Sequence, residues 1–102
     1  MAKLVAMYKT PADAAAFDAY YFDRHLPLAK KIPGLRRYEV NHGPVGTPRG
    51  PAPYHLIAEL TFDSFAALQH ALGSPEGAAA AADVANFAQA GVELLIFDTK
   101  AV

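Results

Sequence analysis

In a nine-residue segment in the middle of the chain, Tyr54–Phe62, apolar residues alternate with residues that are partly polar and partly apolar. Its sequence is YHLIAELTF, and Leu56, Ala58, Leu60 and Phe62 occupy alternate positions on one face. Because successive side chains of a strand point to opposite sides of a sheet, this pattern predicts a β-strand with one buried face. The chain must therefore build a sheet and cover at least one side of it.

Three further segments have the length and composition of strands. KLVAMYK, Lys3–Lys9, and VELLIFD, Val92–Asp98, are apolar at both sets of alternate positions, whereas LRRYEVNHG, residues 35–43, is mixed. Strands that are apolar on both faces are typically buried on both sides of their sheet. We therefore expect the first and last strands to need a cover on each face.

Helix signals separate these strands. Thr10 as N-cap and Pro11 at the first helical position predict a helix directly after the first strand. Its apolar face is predicted from residues spaced by four, four and three positions, namely Phe17, Tyr21, His25 and Leu28. The Pro-Gly pair in IPGL, residues 32–35, ends the helix.

Two more helices are predicted after the long strand. Asp63 is placed to cap the first of them, which ends at Gly73. Ser74 and Pro75 begin the second, and the alanine-rich sequence that follows predicts its continuation to Gly91. The Gly- and Pro-rich segment PVGTPRGPAP, residues 44–53, is predicted to be a loop without helix or strand.

The predicted element order is β-α-β-β-α-α-β, which is the α+β ferredoxin-like arrangement with one extra helix and a four-stranded antiparallel sheet. We expect residues 1–102 to form a single domain, because the length is typical of one and no internal repeat is visible. The helices can cover only one face of the sheet. A second copy of the same sheet is the simplest cover for the other face, so we expect a homodimer with sheet packed against sheet.

Composition removes several functional classes. The chain has no cysteine, which excludes disulfides, thiolate nucleophiles and cysteine-based metal sites. A net charge of −1 with interspersed signs gives no footprint for nucleic acid or for an anionic membrane. No apolar run approaches the roughly 20 residues that span a bilayer. The expected setting is the cytoplasm, with no nucleic-acid or membrane partner.

Other enzyme templates have no support in the chain. Ser64 and Ser74 lie at helix starts where capping explains them, and neither a G-x-S-x-G motif nor a glycine-rich phosphate loop is present. His42 and His55 flank the Gly- and Pro-rich loop, but no third ligand has a supporting spacing, so no metal site is predicted. Hydrolase, kinase and dinucleotide-dependent activities are therefore not predicted.

His25 is the residue that most invites a functional interpretation. Pro27 removes a backbone donor and disfavours the helical conformation at Leu26, so we expect the helix to loosen just after His25 and to leave a cavity beside it. The alternative is a normally packed helix in which Pro27 begins a second short segment. A histidine suits proton transfer because its unperturbed pKa, about 6.5, lies near working pH.

The sequence FDAYYFDRHLPLAKKIPGLRRYEV, residues 17–40, together with SPEGAAAAADVANFAQAG, residues 74–91, resembles the EthD family of the dimeric α+β barrel superfamily. The resemblance rests on a His-x-Pro motif, a Pro-Gly-Leu turn and a strand tyrosine in fixed register, and it implies a dimeric α+β barrel. Related barrels include lactone isomerases, polyketide cyclases and cofactor-free monooxygenases. One relative, a methylmuconolactone methylisomerase, has the same histidine-to-tyrosine spacing, which corresponds here to His25 and Tyr38. The cysteines of that enzyme's pocket are absent from this chain.

The resemblance leads to a functional hypothesis. We expect a pocket between the sheet and the first helix that holds a small apolar or aromatic oxygenated compound, with His25 and Tyr38 as catalytic residues and Tyr8 and Tyr21 as substrate-binding residues. The alternatives are core packing for Tyr8 and Tyr21, and for Tyr38 a strand position with its hydroxyl in water. The expected chemistry is acid/base isomerisation, cyclisation or oxygenation without cofactor or metal. The alternative is a non-catalytic dimer that carries a small molecule for a partner oxygenase.

Overall fold

The computed structural model describes residues 1–102 and contains six strands and four α-helices. The strands are β1 (Ala2–Lys9), β2 (Arg37–Val40), β3 (Gly46–Thr47), β4 (Gly50–Pro51), β5 (Tyr54–Phe62) and β6 (Val92–Asp98). The α-helices are α1 (Ala14–Tyr20), α2 (Leu26–Ala29), α3 (Phe65–Leu72) and α4 (Pro75–Asp83). A π-helical turn, Tyr21–His25, joins α1 to α2, and a 3-10 turn, Val84–Asn86, follows α4. None of the helices has the length and apolar character needed to cross a membrane.

Four of the strands form one antiparallel sheet in the order β2-β5-β1-β6. This is the predicted α+β ferredoxin-like fold, and the bounds predicted for β5 and β6 match those of the structure. The loop prediction for residues 44–53 is wrong in one detail, because Gly46 pairs with Pro51 and Thr47 with Gly50 in a small two-stranded sheet. Gly50 has a φ of 142°, a conformation that favours glycine at this tight hairpin.

The hydrophobic core lies between the large sheet and the helices. Its four largest fully buried side chains are Tyr8, Tyr21, Phe62 and Leu68. Helix α4 crosses α3 so closely that a Cβ atom on Gly77 would overlap the carbonyl oxygen of Ala71. The small residues of α4 therefore let it approach the rest of the molecule, and this approach positions its last residue, Asp83, against α1 and the π turn.

Two of the three predicted helix caps are wrong. Helix α1 begins after Asp13 rather than after Thr10, and the Asp13 side chain accepts a hydrogen bond from the Ala16 N–H at 3.0 Å. Ser64, not Asp63, caps α3, because Asp63 instead accepts two hydrogen bonds from the Arg36 guanidinium. The predicted cap of α4 at Ser74 is confirmed.

The alanine-rich helix also ends earlier than predicted. It stops at Asp83 and not at Gly91, and the 3-10 turn after it brings Phe87 into the aromatic core. The ring of Phe87 lies 4.8 Å from that of His25, centroid to centroid. The change of direction after Asp83 thus closes the core beside the predicted functional histidine.

Strand β6 is open to solvent on both faces. Leu94 and Ile96, which share the helix-facing side of the sheet, are 55% and 43% exposed, and Leu95 and Phe97 on the other side are 51% and 42% exposed. The expectation that this strand is buried on both sides is therefore not met within one chain. The apolar pattern requires a cover that the chain itself does not supply.

Candidate functional site

A widened helical turn carries His25. In the π turn the N–H of Leu26 donates to the carbonyl of Tyr21, five residues earlier, and Leu26 keeps helical angles of −55° and −47°. The predicted loosening just after His25 is therefore wrong in position, since it lies over residues 21–25 and the helix continues to Ala29. Pro27 falls in the first turn of α2, where the missing N–H has little cost. Such π turns are frequent at functional sites.

The turn places one side of the helix against the core. Phe17, Tyr21 and His25 are buried as the spacing predicts, but Leu28 is only half-buried and Ala29 takes the fourth position. Only 5% of His25 is exposed. The imidazole is thus an interior group, and the partners of its two nitrogens decide what it can do.

One of these partners is Asp83 at the end of α4. The Nδ1 atom of His25 lies 3.0 Å from Oδ2 of Asp83. The other carboxylate oxygen, Oδ1, accepts a hydrogen bond from the Tyr20 hydroxyl at 2.6 Å and one from Nδ2 of Asn86 at 3.0 Å. Burial alone raises the pKa of the Asp83 carboxyl, but hydrogen bonds from Tyr20, Asn86 and His25 outweigh it and leave the pKa below its usual value.

This arrangement fixes the tautomer of His25. An ionised carboxylate can only accept, so Nδ1–H of His25 donates to Asp83. No protein group forms a hydrogen bond with the other ring nitrogen, Nε2, and this atom is not fully buried. The lone pair of Nε2 is therefore available to a bound molecule, as in the histidine of other carboxylate–histidine pairs.

Three tyrosine hydroxyls complete the polar groups of this region. The hydroxyls of Tyr21 and Tyr38 lie 2.6 Å apart and share one hydrogen bond, which leaves one of the two protons free. The Tyr8 hydroxyl has no protein partner. Burial raises the pKa of Tyr8, Tyr21 and Tyr38 above the ordinary tyrosine value, so all three stay protonated and can donate.

A cavity of about 90 Å³ joins these groups. Tyr8, Tyr21, His25 and Tyr38, the four residues predicted as a site, all line it. The rest of the lining is apolar side chains and Gly77, and the cavity reaches the surface beside the exposed residues Ala81 and Leu94. The structure thus brings the four predicted residues together, while their roles remain predictions.

A larger open groove of about 550 Å³ lies on the outside of α1. Its polar side chains are already engaged: Asp13 caps α1, Asn86 donates to Asp83, and Gln89 donates to the carbonyl of Asn86. By contrast, the smaller cavity has an imidazole nitrogen and a tyrosine hydroxyl without protein partners. We therefore take the cavity beside His25 as the candidate site.

Sequence reasoning missed Asp83. A signal was present, because it is the one charged residue within the run GAAAAADVANFAQAG, residues 77–91. A lone carboxylate in an alanine-rich packing helix needs a buried partner.

The other three histidines lie outside the candidate site: His55 pairs with Asp18 at 2.7 Å, and His42 and His70 are exposed. No group of three or more His, Asp or Glu side chains is placed to hold a metal ion.

Several known proteins resemble this chain in sequence and fold. A model of the EthD domain matches residues 9–91. An uncharacterized 11.0 kDa protein encoded in the thcB-thcC intergenic region of Rhodococcus erythropolis is 42% identical, over 100% of this chain and 98% of its own. The crystal structure of an ethyl tert-butyl ether d (EthD) family protein from Bacillus halodurans superimposes with a TM-score of 0.89 at 40% identity, covering 98% of this chain and 99% of that one.

More distant structures share the fold alone. SnoaB, a cofactor-independent oxygenase from Streptomyces nogalater, has a TM-score of 0.67 at 16% identity over 99% of this chain and 94% of its own. A dimeric protein of unknown function and ferredoxin-like fold from Bacteroides fragilis has a TM-score of 0.62 at 18% identity, with 96% and 95% of the two chains covered. The same fold therefore occurs both in an oxygenase and in a protein of unknown function.

Proposed function

The chain belongs to the EthD family, and from this membership we propose that it binds a small apolar or aromatic oxygenated compound in the cavity beside His25 and acts on it by acid/base chemistry without a cofactor. The observation that carries the proposal is Nε2 of His25, which has no protein partner and lies in a cavity lined mainly by apolar side chains. The lone pair of Nε2 can accept a hydrogen bond or a proton from a molecule bound in the cavity.

Each polar group has a role in this proposal. His25 takes a proton from the substrate through Nε2, while Asp83 holds the ring in the correct tautomer and stabilises the imidazolium that forms. Tyr38, paired with Tyr21, offers a hydroxyl proton to a substrate oxygen. Tyr8 and Tyr21 also form the aromatic wall against which the substrate packs.

A matched pair of alanines in α4 tests where the ligand binds. Ala81 is exposed and lines the cavity, whereas its neighbour Ala82 is exposed and does not. Ala81→Phe should weaken binding of a monocyclic aromatic ketone because the larger side chain blocks the mouth of the cavity. Calorimetry should show a loss of affinity of roughly tenfold or more, which corresponds to about 1.4 kcal/mol or more. Ala82→Phe should leave binding unchanged.

Equal effects of the two substitutions would contradict binding in this cavity. Binding that follows the expected pattern, without conversion of any ligand tested, would instead favour the carrier role, in which the chain delivers a small molecule to a partner enzyme. The proposal of acid/base chemistry would then be wrong, whereas the proposal of the binding site would stand.

The open face of the sheet supports a second part of the proposal, a homodimer in which two such faces pack together. The side of the sheet away from the helices carries the apolar residues Val5, Met7, Ile57, Leu95 and Phe97. Beside them Lys3 and Glu59 form an ion pair at 3.0 Å, so these two charges compensate each other. A large apolar surface of this kind is typical of an interface between protein subunits.

Two phenylalanines of nearly equal exposure test the dimer. Phe97 on the open sheet face is 42% exposed, and Phe22 on the helical side is 43% exposed. Phe97→Lys should shift the protein toward monomer in light scattering at micromolar concentration, because it buries a charge beside Lys3, its register partner. Phe22→Lys should leave the molecular mass unchanged. A wild-type protein that is monomeric at this concentration would contradict the proposal.

A further inference from the structure

We propose that the substrate is a neutral carbonyl compound bearing a hydrogen on the carbon next to the carbonyl, and that the cavity discriminates against carboxylates and other anions. This inference rests on the proposed function and specifies its ligand. It follows from three properties of the cavity, which are the charge of its lining, the placement of its hydrogen-bond donors and its size.

The lining carries no lysine or arginine, and no aspartate or glutamate. Behind His25, its hydrogen-bond partner Asp83 is itself negative. An anion entering this cavity would lose its hydration without meeting a counter-charge, apart from an imidazolium whose charge Asp83 already balances. Moving an isolated carboxylate into such an environment is strongly unfavourable, whereas a neutral ketone loses far less.

The donors and the base come from different walls. Tyr8 and Tyr38 reach the cavity from strands β1 and β2, while His25 reaches it from the helical layer. On the sheet side Tyr8 and Tyr38 remain protonated, so their O–H groups can donate to the lone pairs of a carbonyl oxygen. On the helix side the Tyr21 hydroxyl is paired with Tyr38, and the acceptor without a protein partner is Nε2 of His25. A carbonyl compound with an adjacent C–H matches this arrangement, because its oxygen can accept from a tyrosine hydroxyl while its C–H proton faces Nε2 of His25.

The chemistry that this arrangement supports is enolisation. The C–H bond next to the carbonyl breaks and its proton goes to Nε2 of His25. Its electron pair forms a carbon–carbon double bond, and the carbonyl π pair moves to the oxygen, which becomes an enolate oxygen. A tyrosine hydroxyl donates a hydrogen bond to that oxygen, and Asp83 stabilises the imidazolium. Return of the proton to the same or a conjugated carbon completes an exchange or an isomerisation, and no oxidant or reductant is consumed.

The cavity also limits the size of the compound. Its volume is about 90 Å³. An engineered apolar cavity of roughly 150 Å³ binds benzene, so a six-membered ring can fit here only if part of it lies in the mouth beside Leu94. Leu94 is 55% exposed, which leaves room at the mouth for part of the ring. The expected substrate is therefore monocyclic, with its carbonyl group inside and its ring toward the mouth.

Acetophenone and benzoate form a suitable pair of probes, because they have nearly the same shape and differ in charge and in the presence of an exchangeable methyl group. Binding of each is measured by calorimetry, and replacement of the acetophenone methyl hydrogens by deuterium is followed by proton NMR in heavy water. We expect acetophenone to bind roughly tenfold or more tightly than benzoate. We also expect catalysed exchange that requires His25 and does not require His55, which pairs with Asp18 outside the cavity.

The possible failures are distinguishable. Benzoate binding as tightly as acetophenone would overturn the selectivity for neutral ligands and leave the proposed cavity and its acid/base role intact. Acetophenone that binds without catalysed exchange, or exchange that persists in His25→Asn, would overturn the enolisation. If neither compound binds, both this inference and the proposed function are wrong.

Discussion

His25→Asn should slow the exchange of acetophenone methyl hydrogens, and the turnover of any other substrate of the cavity, by about 10² to 10⁴-fold, the usual contribution of a general acid/base. The asparagine amide nitrogen can take the place of Nδ1 and still donate to Asp83, so the hydrogen bond now 3.0 Å long is preserved. The atom that is lost is Nε2. The loss of rate should therefore come with little change in the thermal midpoint.

His25→Ala tests the catalytic and the structural role of the side chain together. It removes both ring nitrogens, so the same loss of rate should be joined by a loss of stability on the order of 1 to 3 kcal/mol, because Asp83 loses one of its buried donors. His55→Asn is the control, since it alters a histidine–aspartate pair outside the cavity. A large loss of stability in both His25 variants with unchanged exchange rates would mean that the histidine is structural.

Asp83→Ala should be the most destabilising change at the site. The side chains of His25 and Asp83 are only 6% and 9% exposed, and the carboxylate also accepts hydrogen bonds from Tyr20 and Asn86. Removing one partner of a buried pair leaves the other without compensation, at a cost of about 3 kcal/mol. Thermal unfolding should shift downward by more than about 10 °C for a domain of this size.

The matched control is Asp18→Ala. Asp18 accepts a hydrogen bond from His55 at 2.7 Å, but that pair is 26% and 47% exposed at its side chains. Exposed pairs contribute less than about 1 kcal/mol, so this variant should unfold near the wild-type temperature. Equal destabilisation by the two substitutions would contradict the assignment of Asp83 as a buried, fully engaged carboxylate.

The contribution of Asp83 should also depend on pH in a defined direction. Its pKa in the folded protein is lowered by hydrogen bonds that outweigh burial. A carboxyl with a lowered pKa stabilises the fold at pH values above its unfolded pKa, about 3.9, and this stabilisation is lost as the pH falls through the folded value. The difference in the free energy of unfolding between wild type and Asp83→Asn should thus be largest near neutral pH and shrink below about pH 4.

The sheet was the most predictable part of the fold. Period-two alternation in Tyr54–Phe62 and the apolar run Val92–Asp98 are direct strand signals, and the bounds predicted for both strands are confirmed. Helix ends were less predictable, because they depend on competition between neighbouring side chains. Asp63 could cap a helix by itself, but Arg36, distant in sequence, binds its carboxylate and leaves the cap to Ser64.

The candidate site was only partly visible in the sequence. His25 and Tyr21 share a helical spacing, and the family resemblance added Tyr38, but the partner of His25 lies on a helix 58 residues away. Its position depends on the close packing of α4 at Gly77 and on the early end of that helix at Asp83, neither of which local propensity predicts. The π turn that orients His25 was likewise not predicted, since the sequence placed the irregularity just after His25.

Intermolecular nuclear Overhauser effects from bound acetophenone test the central claim most directly, because they show which of the two depressions the ligand occupies. We expect contacts from the ligand to the rings of His25 and Tyr38 in the small cavity. Contacts to Ala16 and Ala90, which line only the larger outer groove, with none to His25, would contradict the account.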